Sequence, residues 1–237
     1  MLELMLGGGR GKVISDTGPG PTELIGSYTD TATNKTTGFF GETTDLYTMR
    51  ELYDALVSVI GKAAIPSMSV NAERPWLKFL IDGDILFVAK RPSFWAVSYN
   101  QLKAAKLLEK PGVLLPASGG YQFRVRSMNA MTAVYDSVAN SLYPDHPFTY
   151  GSEWNRLMYN IANDITPTSQ KGGKWGSGYP VSELKVPSGA EILPGTFRYP
   201  GTSYHLTRND LTQFNGNSIF DNSSSDRFWR PVLMLVK

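Results

Sequence analysis

The sequence predicts an α+β protein: a small helix-plus-hairpin module followed by a loop-rich C-terminal part closed by a terminal strand. Three observations carry this prediction. Apolar residues recur at helical spacing in "DLYTMRELYDALVSVIG". Two apolar runs flank an Asp82-Gly83 turn. The last residues, "RPVLMLV", are apolar at nearly every position, as in a strand buried on both faces.

Residues 1–45 read as an extended arm. The stretch from Gly7 is rich in Gly, Thr, Ser and Pro, and no large apolar residues recur at a helical period. "GGGRGKV" is not a phosphate loop, because Val13 stands where Ser or Thr is required and Leu6 where a glycine is.

Residues 46–145 read as a small α/β module. In its first helix Leu52, Leu56, Val59 and Ile60 form one stripe extended by Met49, and Gly61 sits at the C-cap. The hairpin "RPWLKFLIDGDILFVAKRP" is bracketed by Pro75 and Pro92. Its Asp82 and Asp84 read as turn residues, since a calcium loop needs more carboxylates and a closing glutamate. A strand and a short helix follow, with Ser98 and Gln101 at capping-box spacing and the helix ending before Pro111-Gly112. "YQFRVR" alternates as a half-exposed strand. Arg124 and Arg126 lie on its polar side, a pair able to bind an anion or simply to face solvent.

Residues 146–237 form the third part. "GSEWNRLMYNIAND" reads as a second helix, with Ser152 as cap and Glu153 in the first turn. Trp154, Leu157, Met158 and Ile161 make its apolar face. From there to the terminal strand the chain reads mostly as loop, with isolated aromatics among turn residues. Loops of that length inside a domain usually carry function.

Bulk properties narrow the function. A chain of 237 residues with 41% hydrophobic and 19% charged residues can build a core. A net charge of +2 with scattered Lys and Arg argues against nucleic-acid binding. The absence of cysteine removes disulfides, thiolate metal sites and a cysteine nucleophile. The first residues lack a basic n-region, and no apolar run is long enough to span a bilayer, so neither secretion by a leader nor membrane insertion is expected.

Motifs for catalysis are missing. The two histidines, His146 and His205, have no metal-ligand spacing, and there is no Gly-x-Ser-x-Gly elbow. Asp164, Glu183 and Asp210 are the carboxylates a glycosidase reading would use, with Glu183 near Trp175 and Tyr179. Otherwise they are ordinary loop carboxylates. No cofactor, metal or catalytic residue is assigned. For a surface glycan, the binding candidates are Trp175, Tyr179, Tyr204, His205, Arg208, Asn209 and Asn217. The aromatics would stack on sugar faces, and the amides and Arg would bond hydroxyls or acidic groups.

The run "SEWNRL", the later tryptophan of "TSQKGGKW" and the ending "WRPVL" together resemble a group of tailed-bacteriophage virion proteins of the tail-fibre type. "GFFGE", "PWLKFLIDGDILFVAKRP" and "YQFRVR" are similar to that group as well, so the resemblance spans residues 38 to 237. Met234 stands where the group usually has glutamate, and the loops here are short and rich in Asn and Ser.

The layout also resembles the C-type-lectin-like fold, in which a helix and a closing strand frame variable loops. These resemblances imply a non-catalytic virion structural protein, assembled in the host cytoplasm, acting in the tail and contributing to host attachment. Its arm would dock other virion proteins, and its loops would meet a host-surface glycan. The class implies a homo-oligomer, commonly a trimer, in which multivalency strengthens weak sugar contacts. Trp229 would pack beneath the loops and Arg230 would tie down a neighbouring carbonyl or carboxylate. A purely architectural head, collar or baseplate protein is the second expectation, and a particle-borne polysaccharide depolymerase the third.

Overall fold

The computed structural model describes residues 16–30, 34–65, 69–70, 75–129, 135–136, 141–142, 152–159, 184, 190–199, 202–208, 214–217 and 227–236. The protein is a mixed α and β molecule, rich in sheet and with few helices.

In chain order the strands and helices are β1 (Gly26–Asp30), β2 (Lys35–Thr43), α1 (Met49–Ile60), β3 (Ser69–Val70), β4 (Trp76–Ile81), β5 (Asp84–Ala89), β6 (Phe94–Trp95), α2 (Tyr99–Ala104), β7 (Val113–Leu114), β8 (Gln122–Arg126), β9 (Tyr135–Asp136), β10 (Ser141–Leu142), β11 (Ala190–Tyr199), β12 (Thr202–Arg208), β13 (Phe214–Asn217), β14 (Arg227–Trp229) and β15 (Val232–Val236). A 3₁₀ turn, Lys62–Ala64, follows α1, and a π-helical turn spans Asn155–Tyr159.

Seven strands form one sheet in the order β1-β2-β4-β5-β15-β8-β7. The second sheet runs β10-β13-β12-β11-β14-β6-β3, with β9 also paired to β11. Three strands therefore lie within residues 190–217, which the sequence reading treats as loop. Their Ser, Asn and Thr content hides strand periodicity, and cross-strand pairing rather than propensity fixes them.

The central strands of the seven-stranded sheet are buried on both faces. Cross-strand register places Trp76, Lys78 and Leu80 beside Ala89, Phe87 and Ile85, then Leu233 beside Phe87 and Val125, and Leu235 beside Phe123. This face packs with Met49, Leu52 and Leu56 of α1 and with Tyr99 and Leu102 of α2 in a single core. On the opposite face Leu77, Phe79, Leu86, Val88 and Val232 are also buried. Two-sided burial is why β4, β5 and β15 read as near-continuous apolar runs. The terminal strand is central, as the sequence suggests: β15 lies between β5 and β8.

Local chemistry shapes the elements as expected in several places. The β4–β5 turn has Asp82 and Gly83 both at positive φ, 52° and 88°, which matches the twist of paired strands. Ser98 with Gln101 forms the expected capping box at α2, and Thr48 with Glu51 forms another at α1 that the sequence reading did not single out. Gly61, at φ 79°, ends α1 by donating its N–H to Val57 O.

Other details differ. Val59 is 47% exposed, because the stripe of α1 that meets the sheet is narrower than the apolar set. As expected, α2 ends before Pro111, at Ala104. Trp154, Leu157 and Met158 are buried, but Leu157 and Met158 lie on a π-helical turn, and Ile161 lies outside the described residues. Residues 26–30 and 35–43, read as arm, supply β1 and β2.

Candidate functional site

The two sheets are joined by a bent two-stranded ribbon. One strand passes from β5 to β6, and the other returns from β14 to β15. Ala89 N donates to Pro231 O and Ser93 N to Trp229 O, both at 3.1 Å, so the strands stay paired through the bend. Pro92 and Pro231 lie at the bend, where a ladder donor is dispensable.

Arg230 fills the inside of that corner and is fully buried. Its Nε and Nη2 donate to the two carboxylate oxygens of Glu191 at 3.0 and 3.1 Å. Nη1 donates to Ala89 O at 2.8 Å and Lys90 O at 2.6 Å, and Nη2 also donates to Leu184 O at 2.6 Å. One guanidinium thus ties β11 of the second sheet to the end of β5 in the first. Its planar fork suits this task, whereas a lysine would offer a single point of charge. Beside it Trp229 stacks on Phe94 at 5.3 Å and donates Nε1–H to Ser127 Oγ at 2.8 Å. The expectation that Arg230 ties down a carbonyl or carboxylate is met on both counts.

Residues 152–158 are pinned to the outer face of the seven-stranded sheet by two further clamps. Arg126 Nη1 and Nη2 donate to Glu153 at 2.6 and 2.8 Å, and Asn129 N donates to the same carboxylate at 2.9 Å. Burial pushes the Glu153 carboxyl up, but Arg126, Asn129 N–H and Lys110 together outweigh it and hold its pKa below the ordinary value. Arg126 is therefore no solvated strand residue. It is 1% exposed, because Glu153 folds over it.

Arg156 reaches the other way. It donates to Thr37 Oγ1 at 3.1 Å, Thr36 O at 3.1 Å and Asp82 Oδ2 at 2.8 Å. Asp82 is thus more than a turn residue. Burial raises its pKa and Arg156 lowers it, with Lys35 and Lys110 adding to the drop, so the carboxyl lies below its usual range.

The glycan candidates fall differently. Tyr204, His205 and Arg208 lie on β12, and Asn217 lies on β13. The register pairs His205 with Asn217 directly. In register, Tyr204 pairs with Phe197 and Arg208 with Glu191 and Phe214. Trp175, Tyr179 and Asn209 lie outside the described residues, as do the carboxylate candidates Asp164, Glu183 and Asp210.

Sequence reasoning passed over Glu191, Ser127 and Lys78. A lysine inside the apolar run "WLKFLI" was the available signal for Lys78. For Glu191 and Ser127 no local pattern marks a partner that is 39 or 102 residues away. A surface recess of about 370 Å³ is lined by Pro21, Glu42, Thr43, Thr44, Asp45 and Pro75, with Glu42 engaged by Lys90 Nζ at 2.5 Å.

No protein-family model matches the chain, and no curated protein or solved structure matches it either.

Proposed function

We propose that the protein is a non-catalytic structural component of a tailed-phage virion, a tail-fibre or tail-tip piece that contributes to host-surface attachment. The observation that supports this most is where the two resembling motifs fall. Glu153, Trp154 and Arg156 from one, and Trp229 and Arg230 from the other, are all buried and engaged in holding sheet to sheet or turn to sheet. Motif residues used this way make a rigid base rather than a reaction centre. Binding would then fall to the variable segments around β11–β13, where His205 and Asn217 are paired. A C-type-lectin-like plan for residues 146–237 belongs to the same proposal and rests on the Trp229-Arg230 corner beneath those segments.

The layout favours two functional poles. Gly18, at the start of the described chain, lies against Leu235, near the end of β15 remote from the Arg230 corner. The segment from Asp16 thus lies along the seven-stranded sheet, while β11 is tied to that sheet through the Arg230 corner. That suits an arm that docks other virion proteins and a distal surface that meets the host.

The test is adsorption blocking. Host cells pre-incubated with purified protein are challenged with the encoding phage, and free phage is counted. Saturable blocking is expected, with loss when Trp175, Tyr204 and Asn217 are changed to alanine in a folded protein. Folded native oligomer that neither binds cells nor blocks would leave the purely architectural reading in its place.

A further inference from the structure

Residues 16–25 cross the inner face of the seven-stranded sheet as a strap. Gly18 lies on Leu235 and Phe87, Gly20 on Thr43, Leu24 on Gly38, and Ile25 on Gly41. The strap then turns into β1, with Ile25 N donating to Phe39 O at 2.8 Å. Gly18 and Gly20 take φ of 73° and 77°, and a Cβ at Gly20 would collide with Thr43. The strap therefore follows the sheet closely enough to exclude a side chain at Gly20, and the positive φ at both positions favours glycine.

Its polar anchor is Lys78, which is fully buried in β4. The ammonium meets Thr17 Oγ1 at 3.1 Å, Gly18 O at 3.3 Å, Pro19 O at 2.9 Å and Pro21 O at 2.6 Å. Phe40 and Phe87 flank it at 5.0 and 5.7 Å from their ring centroids. Four oxygens of one five-residue segment thus converge on one amine with three donors. Prolines at 19 and 21 stiffen the crown, and Asp16 accepts from Gly18 N at 2.8 Å to shape its entrance.

We propose that Lys78 is the clasp of a detachable strap: residues 16–25 leave the sheet as one unit when the clasp is lost, and the clasp sets how firmly the preceding chain is held. This goes beyond the virion reading and does not depend on it. The strap's remaining attachments are a few apolar contacts and one backbone bond, from Ile25 N to Phe39 O, whereas β4, β5 and β15 are paired on both sides. A segment with one strong anchor and few ladder bonds opens before the sheet does.

The test is cleavage after exposed Glu23 by a glutamate-specific protease, read by mass spectrometry on the full chain. Lys78→Ala should speed that cut about tenfold or more, since hydrogen bonds to a charged group are worth that in an opening equilibrium. Millimolar n-propylammonium, which refills the vacated amine position, should restore protection, while tetramethylammonium should not. A cut no faster than in the unmodified protein, or a faster cut that the amine leaves unchanged, would overturn the proposal.

Should the alanine variant fail to fold, hydrogen exchange of the unmodified protein in sub-denaturing urea decides. The Gly18 and Ile25 amides are expected to open with a smaller urea dependence than those of β4 and β5. Equal dependence, meaning one cooperative unit, would refute the strap.

Discussion

The strongest single prediction concerns Arg230→Met. Methionine keeps much of the apolar volume but removes five donor contacts. It leaves Glu191, only 4% exposed, as a buried carboxylate without its counter-charge. Stripping one partner from a buried ion pair costs about 3–5 kcal/mol. The carbonyls of Ala89, Lys90 and Leu184 also lose a donor, which puts the expected cost near the upper end of that range. For a urea slope of about 2.5 kcal/mol/M, the unfolding midpoint should fall by about 2 M. Tryptophan fluorescence is the assay, because Trp229 packs at the same corner. Adding Glu191→Gln to Arg230→Met removes the stranded charge, so the double variant should be more stable than additivity predicts by about 2 kcal/mol. A midpoint change below about 0.3 M in the single variant, or strict additivity in the double, would refute the clamp.

Two further predictions follow from the sheet. A chain ending at Arg230 loses β15 from between β5 and β8, and with it the burial of Val232, Leu233 and Leu235. At about 1.5–3 kcal/mol each, that loss matches most of a domain's usual net stability of about 5–15 kcal/mol. The whole seven-stranded sheet should fail, and a protease-resistant fragment covering residues 35–129 would contradict this. The second concerns alkaline pH. Burial lowers the Lys78 pKa from 10.5 to about 8, with Asp16 opposing the drop. The folded chain therefore holds this proton less tightly than the unfolded chain, so the Lys78 contribution should make stability rise between pH 8 and 10.5. Urea midpoints across that window should show the rise in the unmodified protein and a flatter profile in Lys78→Met. Identical profiles would exclude Lys78 as the titrating group.

What was legible in the sequence was local. The Asp82-Gly83 turn, the Ser98-Gln101 capping box and the Gly61 cap each depend on residues within a few positions of one another, and all occur. The terminal strand was legible because burial on both faces leaves a continuous apolar run. The strands β11–β13 were not, since their stability comes from pairing partners rather than from a hydrophobic period. The role of Arg126 was misread for a related reason. Alternation places it on a polar face, and only the arrival of Glu153, 27 residues later in the chain, turns that face into an interior.

The same contrast bears on how the motifs should be interpreted. Conspicuous residues such as Trp154, Arg156, Trp229 and Arg230 invite a binding role, yet each is buried at a junction. Arg156 joins segments 74 and 119 residues away, and Arg230 joins segments 39 and 141 residues away. Local propensity cannot set geometry over such separations, so a directional, multiply bonded group at each crossing is the physical means of fixing it. Buried ion pairs gain little net stability over an apolar filling, but they penalise every arrangement in which the partners miss each other. On that basis the three arginines specify how the turn and the two sheets are mounted.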